Sequence, residues 1–448
     1  MPHAANRSLL LLALLLTALP PRLAAADEWP SFRGRFAHGV ADGQRLPTEW
    51  DAATGRNVRW KTPIPGLGHS SPVVWGDRVF VTTAVADQVA EPVLGDEGGI
   101  GLEDDREREI AWRIYALDLA SGEVVWQAEP YRGAPRAQRH VKASHANSTP
   151  ATDGKTVVAI FGSQGLVAFD VGGRELWRRD LGVLDPGLYG DPASQWGHSS
   201  SPVLWNGRVF VQVDRHADSY LAAYDLTDGR EIWRVARDEK PIWATPTIRP
   251  TPGGAELIVV GGDFDRGYDP ETGRELWRFA RDLEVKTTTP LVAGDTIVLS
   301  GGYRGRPLYA LAAGRRGDLG STEGGEGLLW ASEPGGPYTS TPVVVDGWVH
   351  FVRNTGILTV LSLATGETAY RERLEGNFSA SPVASDGKIY LAAEEGTVWT
   401  VAAGPEFELL GRSDMGEPCL ASPAIAGGTL LLRCRSHLWA IGATDGAD

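Results

Sequence analysis

Residues 202–211 read PVLWNGRVFV, two short runs rich in β-branched and aromatic residues on either side of an Asn-Gly pair. Asn-Gly between such runs is a strong signal for a β-hairpin, because both residues of the tight turn take positive φ angles. Residues 72–81 (PVVWGDRVFV) and 342–351 (PVVVDGWVHF) repeat the arrangement. The sequence therefore predicts the same hairpin at several places along one chain.

A Ser or Thr followed by Pro precedes each hairpin, and this pair recurs eight times. The hydroxyl residues are Ser71, Thr149, Ser201, Thr245, Thr289, Thr341, Ser381 and Ser422. Their intervals are 78, 52, 44, 44, 52, 40 and 41 residues. A base period of about 40 to 45 residues, lengthened by insertions, is typical of the four-stranded blades of a β-propeller.

The second half of each unit is a strand, a Gly turn and a strand that closes on Trp, as in residues 223–233 (AYDLTDGREIW). We expect these closing residues to pack between neighbouring blades: Trp60, Trp126, Trp177, Trp233, Trp277 and Trp330. The last blade has three strands after Pro423, and residues 57–60 (NVRW) supply the missing outer strand. The sequence predicts an all-β, eight-bladed β-propeller of four-stranded antiparallel blades, whose ring is closed by that N-terminal strand.

The repeated Ala-x-Asp-x-x-[Ser/Thr]-Gly-x-x-x-Trp run, together with the Ser/Thr-Pro strand start, resembles the tryptophan-docking motif of PQQ-like (pyrroloquinoline-quinone-like) propellers. That family includes quinoprotein alcohol dehydrogenases and the propeller lipoprotein of the outer-membrane assembly complex. The resemblance covers residues 57–441. It implies the fold, whereas activity has to be argued from a site.

The chain begins like an exported protein. Arg7 precedes a short apolar run, Leu9 to Leu19, and Ala24 to Ala26 supply small residues, so residues 1–26 are expected to be a cleaved signal peptide. A retained signal anchor is the alternative. No Cys for lipid attachment lies near the cleavage point. We expect a periplasmic or secreted monomer without a membrane span, with a lead segment at 27–56 and a C-terminal tail at 442–448.

Charge and cysteine content narrow the partners. Removal of Arg7 and Arg22 with the signal peptide leaves 41 basic and 57 acidic residues, a net charge of −16, which disfavours nucleic acid as a partner. Cys419 and Cys434 flank the Gly427-Gly428 turn almost symmetrically, which is compatible with a cross-strand disulfide or with two buried thiols. No Cys-x-x-Cys-His is present for a c-type haem.

Three long excursions, residues 85–110, 129–145 and 180–198, fall on one face of blades 1 to 3, where function is often carried. A further Gly-rich break at 314–327 was expected to be a mobile loop on the other face. The candidate ligand-binding residues on the first face are His69, Lys142, His145, Gln195, Trp196, His198, Asp214, Arg215 and Lys286. They suggest a polar pocket for a small anionic molecule or a peptide. The alternative is that the His side chains only bind loop backbone, and a metal is disfavoured because no carboxylate cluster accompanies them.

Taken together, these features favour a non-catalytic binding or scaffolding propeller of the bacterial cell envelope, with an envelope protein or small anionic ligand held at the loops of blades 1 to 3. One alternative is a PQQ-dependent alcohol or sugar dehydrogenase with PQQ and Ca²⁺, although Cys419 and Cys434 are not vicinal and the blades are lean. The other is a role like that of the outer-membrane assembly factor. No Gly-x-Ser-x-Gly or His-Glu-x-x-His motif indicates other catalysis, and no catalytic residue is assigned.

Overall fold

A computed structural model describes residues 1, 28–87, 91–95, 101–191, 193–281, 283, 285–303, 307–332 and 335–443. The predicted signal peptide, apart from Met1, and part of the first excursion lie outside these ranges. Within them, no helix has the length and apolar character needed to cross a bilayer. The only helical elements described are two 3-10 turns, Arg35–Ala37 and Gly162–Gln164.

Eight four-stranded antiparallel sheets form the eight blades of the predicted all-β propeller, which confirms the predicted fold. From inner to outer strand, blade 1 consists of β3 (Val73–Trp75), β4 (Arg78–Ala86), β6 (Ile110–Asp118) and β7 (Val124–Gly133), and blade 2 of β9 (Ala151–Thr152), β10 (Thr156–Ile160), β11 (Leu166–Asp170) and β12 (Glu175–Arg179). Blade 3 consists of β13 (Val203–Trp205), β14 (Arg208–Val213), β15 (Ser219–Asp225) and β16 (Glu231–Arg237), and blade 4 of β17 (Thr247–Thr251), β18 (Gly254–Val259), β19 (Phe264–Tyr268) and β20 (Glu275–Ala280). Blade 5 consists of β21 (Leu291–Ala293), β22 (Thr296–Ser300), β23 (Leu308–Ala312) and β25 (Leu328–Ser332), and blade 6 of β26 (Val343–Val345), β27 (Trp348–Val352), β28 (Ile357–Ser362) and β29 (Thr368–Arg373). Blade 7 consists of β30 (Val383–Ser385), β31 (Lys388–Ala392), β32 (Thr397–Ala402) and β33 (Leu409–Asp414), and blade 8 of β34 (Ala424–Ala426), β35 (Thr429–Arg433), β36 (His437–Ile441) and β2 (Val58–Pro63). The remaining strands are β1 (Glu28–Trp29), β5 (Leu102–Glu103), β8 (Arg139–His140) and β24 (Gly317–Ser321).

The N-terminal strand closes the ring, as predicted. Strand β2 pairs antiparallel with β36, and Trp60 lies opposite Ala440. Because every blade then has a complete set of four strands, the ring leaves no open seam between its first and last blades. We call the end of the ring that carries the inner hairpin turns the turn face, and the opposite end, with the long excursions, the loop face.

The Ser/Thr-Pro repeat has a physical role in the inner strands. The hydroxyl of one blade accepts the backbone N–H of the hydroxyl residue of the preceding blade, for example Ser381 Oγ from Thr341 N at 2.9 Å. Six such bonds join successive blades: Ser71 to Thr149, Thr149 to Ser201, Ser201 to Thr245, Thr289 to Thr341, Thr341 to Ser381 and Ser381 to Ser422. The joints between blades 4 and 5 and between blades 8 and 1 lack this bond. There the hydroxyls of Thr289 and Ser71, respectively, are buried without a hydrogen-bond partner among the described residues.

The closing Trp residues lie against the Gly turn of the next blade. The Trp177 indole donates to Leu226 O at 2.9 Å, and a Cβ added at Gly229 would lie 2.5 Å from its ring. Glycine is required there both for this close approach and for its φ of 68°. Four other residues donate in the same way: Trp60 to Leu119 O, Trp126 to Val171 O, Trp233 to Pro270 O and Trp330 to Leu363 O.

Trp277 differs from the other closing residues. It packs between blades 4 and 5, but its indole donates to Glu256 of its own blade at 3.2 Å. Arg316 also donates to Glu256, and β24 adds in parallel to the outer edge of β20. The expectation of a mobile loop at 314–327 is therefore wrong, because this segment contains a strand that extends blade 4 to five strands.

Residues 28–46, which we call the plug, run through the inside of the ring. Strand β1 pairs with the inner strand of blade 1, and Arg33 donates to the carbonyls of Pro342 at 2.6 Å and Pro382 at 2.8 Å on blades 6 and 7. Ala41 N donates to Ala384 O at 2.9 Å. Arg33 is buried, and burial lowers its pKa to about 9. The lead segment, to which the sequence assigned no role, thus bridges opposite sides of the central channel.

Candidate functional site

The first two excursions fold together on the loop face. Strand β5 pairs with β8, so that Leu102 lies opposite His140 and Glu103 opposite Arg139. We call the described parts of these excursions outside the blades, residues 91–95, 101–109 and 134–145, the strap. It connects blades 1 and 2 to blades 7 and 8, as the contacts of its side chains show.

Lys142 fastens the strap to blade 7. Its Nζ donates to the two carboxylate oxygens of Glu394 at 2.9 and 3.0 Å and to Gly95 O at 2.6 Å. Gly95 N donates to the same carboxylate at 2.7 Å, and Ser379 Oγ also donates to it. Glu394 is 1% exposed, so its negative charge depends on these donors. Lys142, one of the candidate residues, is thus engaged within the protein.

Asp105 joins two further strap residues. Its carboxylate lies 2.7 Å from His145 Nε2 and 3.1 Å from Arg139 Nε. Burial raises the pKa of Asp105, but its hydrogen bonds and charge interactions with His145 and Arg139 outweigh burial and leave the pKa below its ordinary value. The carboxylate therefore stays ionised and holds the imidazole of His145. The acidic stretch 103–105 indicated carboxylates here, but not which of them binds His145.

His69 is partly buried and His198 is buried. Burial lowers the pKa of His198 to about 4, and burial together with the nearby positive charges of Arg139, Arg433 and Lys142 lowers that of His69 to about 3. Both imidazoles are neutral near pH 7 as a result. The Nε2 atom of each is buried and has no hydrogen-bond partner among the described residues.

Asp214 forms an ion pair within blade 3. Its two oxygens accept from Arg237 at 2.8 and 3.0 Å, and both side chains are almost fully buried. Arg237 also donates to Tyr268 OH at 2.9 Å. Arg215 donates to Val183 O in the third excursion. These contacts engage Asp214 within the ring, whereas the Nε atom of the partly buried Arg215 has no hydrogen-bond partner among the described residues.

Lys286 is the most deeply buried of the candidate residues. Its Nζ lies 3.3 Å from Asp265 and donates to Gly261 O. Burial, and next the charge of Arg281, lower the pKa of Lys286 to about 8, although Asp265 acts in the opposite direction. Since the side chain has no exposed surface, this ammonium is a buried counter-charge to Asp265.

Gln195 and Trp196 order the third excursion against the strap. Gln195 Oε1 accepts from Gln138 N at 3.3 Å. The Trp196 ring lies 5.5 Å from that of Trp243 and 5.4 Å from that of His140, centroid to centroid. This aromatic cluster therefore joins the excursion of blades 2 and 3 to the strap and to blade 4.

A cleft opens between the strap, blade 2 and the third excursion. His145 and His198 line it together with Arg136, Gln138 and Ser163, and its volume of about 20 Å³ has room for about one water molecule. Of the nine candidate residues, the structure brings these two to the wall of one cleft. The others lie elsewhere on the loop face or inside the blades.

The described residues do not fit PQQ with Ca²⁺. Within the described ranges, no group of three or more His, Cys, Asp or Glu side chains is arranged to hold a metal ion. Cys419 and Cys434 form a disulfide, but they are 15 residues apart and buried in the core of blade 8 and its neighbours. The carboxylates Asp105, Asp214, Asp265 and Glu394 are all matched by buried cations or imidazole.

A rigid eight-bladed ring of this repeat defines a PQQ-like propeller. The chain belongs to the family described as "Outer membrane protein assembly factor BamB", whose model matches residues 28–212, 111–263, 217–319 and 315–448. No curated protein sequence gives a match.

Solved structures are similar in fold. BamB from Moraxella catarrhalis is 14% identical, with 80% of this chain and 98% of that chain covered and a TM-score of 0.51. A europium-containing methanol dehydrogenase is 12% identical, with coverage of 91% and 89% and a TM-score of 0.62. The quinohemoprotein alcohol dehydrogenase from Comamonas testosteroni is 11% identical, with coverage of 94% and 82% and a TM-score of 0.63. At these identities the likeness concerns the fold alone.

Proposed function

We propose that this protein is a non-catalytic binding or scaffolding propeller of the bacterial cell envelope, which holds an envelope protein or a small anionic ligand at the loop face of blades 1 to 3. The observation that carries the proposal is the pairing of charges on the loop face, from blades 1 to 4 and blade 7. Asp105, Asp214, Asp265 and Glu394 are each neutralised within the protein, so none is free to act as a general base. A rigid, internally satisfied face is suited to binding.

Membership of the outer membrane assembly factor family supports a place in the envelope. The predicted signal peptide at 1–26 supports export as well. The disulfide between Cys419 and Cys434 is consistent with an oxidising compartment. On this proposal the mature protein acts as a monomer in the periplasm or outside the cell.

The third excursion provides the exposed part of the proposed binding face. Tyr189 is 51% exposed and lies 5.2 Å from the ammonium of Lys240, ring centroid to Nζ. The neutral His198, at the end of the same excursion, lines the cleft together with Arg136. An exposed Tyr beside a cation is the kind of surface on which a partner can anchor.

A photo-crosslinking amino acid at position 189, introduced in the native host, tests this proposal. The matched control is the same substitution at Tyr303, which is 52% exposed and belongs to blade 5. We expect a discrete cross-linked envelope protein, or a bound small anion on mass analysis, with position 189 and not with position 303. Equal products at both positions, or no product at 189, would argue against a binding face on blades 1 to 3.

The non-catalytic part of the proposal has a separate test. The purified protein is titrated with PQQ, with and without Ca²⁺, while the fluorescence of its 16 Trp residues and the reduction of a dye by alcohols or sugars are followed. We expect no quenching beyond the inner-filter background and no dye reduction. Saturable quenching together with dye reduction would replace the proposal with a PQQ-dependent dehydrogenase.

A further inference from the structure

The turn face carries a feature that the proposed function does not use. The third residue after the Pro of the Ser/Thr-Pro pair is Trp75 in blade 1, Asp153 in blade 2 and Trp205 in blade 3. In blades 4 to 8 the corresponding residues are Arg249, Ala293, Val345, Ser385 and Ala426. Two large aromatic side chains therefore flank one short residue, and both are only half-buried.

A pocket lies between them, which we call the plug pocket. It is lined by Trp75, Trp205 and the plug residues Phe32 and Phe36, and its volume is about 190 Å³. The rings of Phe36 and Trp205 are 5.9 Å apart, centroid to centroid. Blade 2 leaves this space because its inner strand, Ala151–Thr152, has two residues and ends at the short side chain of Asp153.

The plug forms its wall of the pocket with unfavourable backbone conformations. Arg33, Phe36 and Ala37 have φ angles of 61°, 56° and 56°, in the left-handed region that side chains seldom adopt. Arg33 holds this stretch in place through the carbonyls of Pro342 and Pro382. Strained backbone of this kind persists where the surrounding structure enforces it and is concentrated at ligand sites.

The charged groups at the rim have partners within the protein. Arg35 forms an ion pair with Glu28, and its guanidinium lies 5.9 Å from the centroid of Trp75. Asp153 accepts the backbone N–H groups of Lys155 and Thr156 at 2.9 and 2.8 Å. The pocket therefore has aromatic walls, a carboxylate held by backbone N–H groups and a guanidinium that is already paired, which favours an uncharged occupant over an anion.

We propose that the plug pocket binds a small, largely apolar molecule with a flat ring system. The molecule lies between Trp75 on one side and Trp205 with Phe36 on the other. Its volume of about 190 Å³ has room for a small ring compound, since an apolar cavity of about 150 Å³ binds benzene, and its lining combines aromatic walls with a few polar groups, as small-molecule sites do. A protein partner would need a contact of roughly 800 Å² on this side, far more than a concave pocket of this size offers. The site is on the face opposite to that of the proposed function and does not depend on it.

The neutral, environment-sensitive dye N-phenyl-1-naphthylamine is a suitable probe. We expect saturable fluorescence enhancement on titration into the purified mature protein, with energy transfer from Trp. Trp75→Ala and Trp205→Ala are each expected to weaken binding about tenfold or more, because each removes one wall of the site. Trp348→Ala is the matched control, since Trp348 is a half-buried residue beside the hairpin turn of blade 6. It should bind the dye as the wild type does.

Trp205→Phe is a control for the possibility that Trp205→Ala fails to fold. It keeps an apolar ring at this position and should bind the dye with intermediate affinity. Unchanged thermal unfolding of the variants would show that the ring is intact. Absence of saturable enhancement with the wild type would overturn the proposal. So would wild-type affinity in Trp75→Ala and Trp205→Ala, or an equal loss in Trp348→Ala, since each result would place the dye elsewhere.

Discussion

Glu394 permits a direct test of how the strap is held on the loop face. The substitution Glu394→Gln keeps the shape of the side chain but replaces one carboxylate oxygen with an amide group that donates. Lys142 Nζ and Gly95 N, which donate to the carboxylate, would then face a neutral group with one oxygen fewer. Because Glu394 is 1% exposed, water is poorly placed to replace the lost interaction.

The expected effect lies between two limits. Removing one partner of a fully buried ion pair costs about 3–5 kcal/mol, whereas exposed pairs contribute about 0.2–1 kcal/mol. The Glu394 side chain is 1% exposed, but that of Lys142 is 20% exposed and is able to regain part of its hydration. We therefore expect Glu394→Gln to favour opening of the strap by about 2 kcal/mol, or about thirtyfold in the opening equilibrium.

Native-state proteolysis measures this equilibrium, because cleavage of a briefly open segment follows the population of the open form when reclosing is fast. Trypsin cleavage after Arg136 in the strap should be about thirtyfold faster in Glu394→Gln than in the wild type. The double variant Lys142→Met with Glu394→Gln should be cleaved more slowly than Glu394→Gln, since no unpaired ammonium remains. The neighbouring exposed Glu395, which accepts from Asn377, supplies the control Glu395→Gln. Equal rates in Glu394→Gln and Glu395→Gln would refute the role assigned to the ion pair.

Three other predictions concern the ring, each measured by urea unfolding with Trp fluorescence. Ser381→Ala should lower the free energy of unfolding by about 1 kcal/mol, because Ser381 Oγ accepts a hydrogen bond from a buried backbone N–H. Ser71→Ala removes a hydroxyl without a described partner and should lower it by less. The reverse order would contradict the role assigned to the hydrogen bonds between successive Ser/Thr-Pro pairs. Gly229→Ala should lower the free energy of unfolding by at least about 2 kcal/mol more than Gly76→Ala does. Both glycines have a positive φ, but only at Gly229 would the new Cβ meet a Trp ring, that of Trp177. Similar losses in the two variants would show that the contact between Trp177 and Gly229 is unimportant. His198 has a pKa lowered from 6.5 to about 4 in the folded state, so the unfolded chain binds the proton first and stability falls as pH drops from about 6.5 towards 4. His198→Gln should remove about 2–3 kcal/mol of this loss between pH 7 and pH 4.5, and an unchanged pH profile would show that His198 is not buried as a neutral ring.

The repeat could be predicted because its determinants are local. Asn206-Gly207 fixes a turn by backbone conformation, and the spacing of the Ser/Thr-Pro pairs counts the blades. Residues 57–60 could be assigned to the last blade because they match the closing strand of the repeat. The plug has no such period, and Arg33 finds its carbonyl partners about 300 to 350 positions away, at Pro342 and Pro382. Its role was therefore not readable from the sequence.

The candidate site was predictable only to the level of a shared face. Blade topology explains why His145 and His198 reach the same cleft, since both precede inner strands of adjacent blades. It does not fix side-chain partners, which depend on distances of a few ångströms. That is why the pairing of Lys142 with Glu394, contributed by blade 7, could not be derived from the spacing along the chain.

Closure of the ring by β2 and β36 also sets an order in time. Trp60 pairs with Ala440, so the strand made first waits for the strand made last. Until then β2 lacks the strand with which it pairs, and loop closure over such a separation is slow. An exported chain emerging N-terminus first would travel with unpaired strand edges until residue 441 is available, and such edges invite pairing with other chains. The ring therefore closes only after the final strand has been made. A chain that ended before His437 would lack β36, so its seven other blades could fold but the ring could not close.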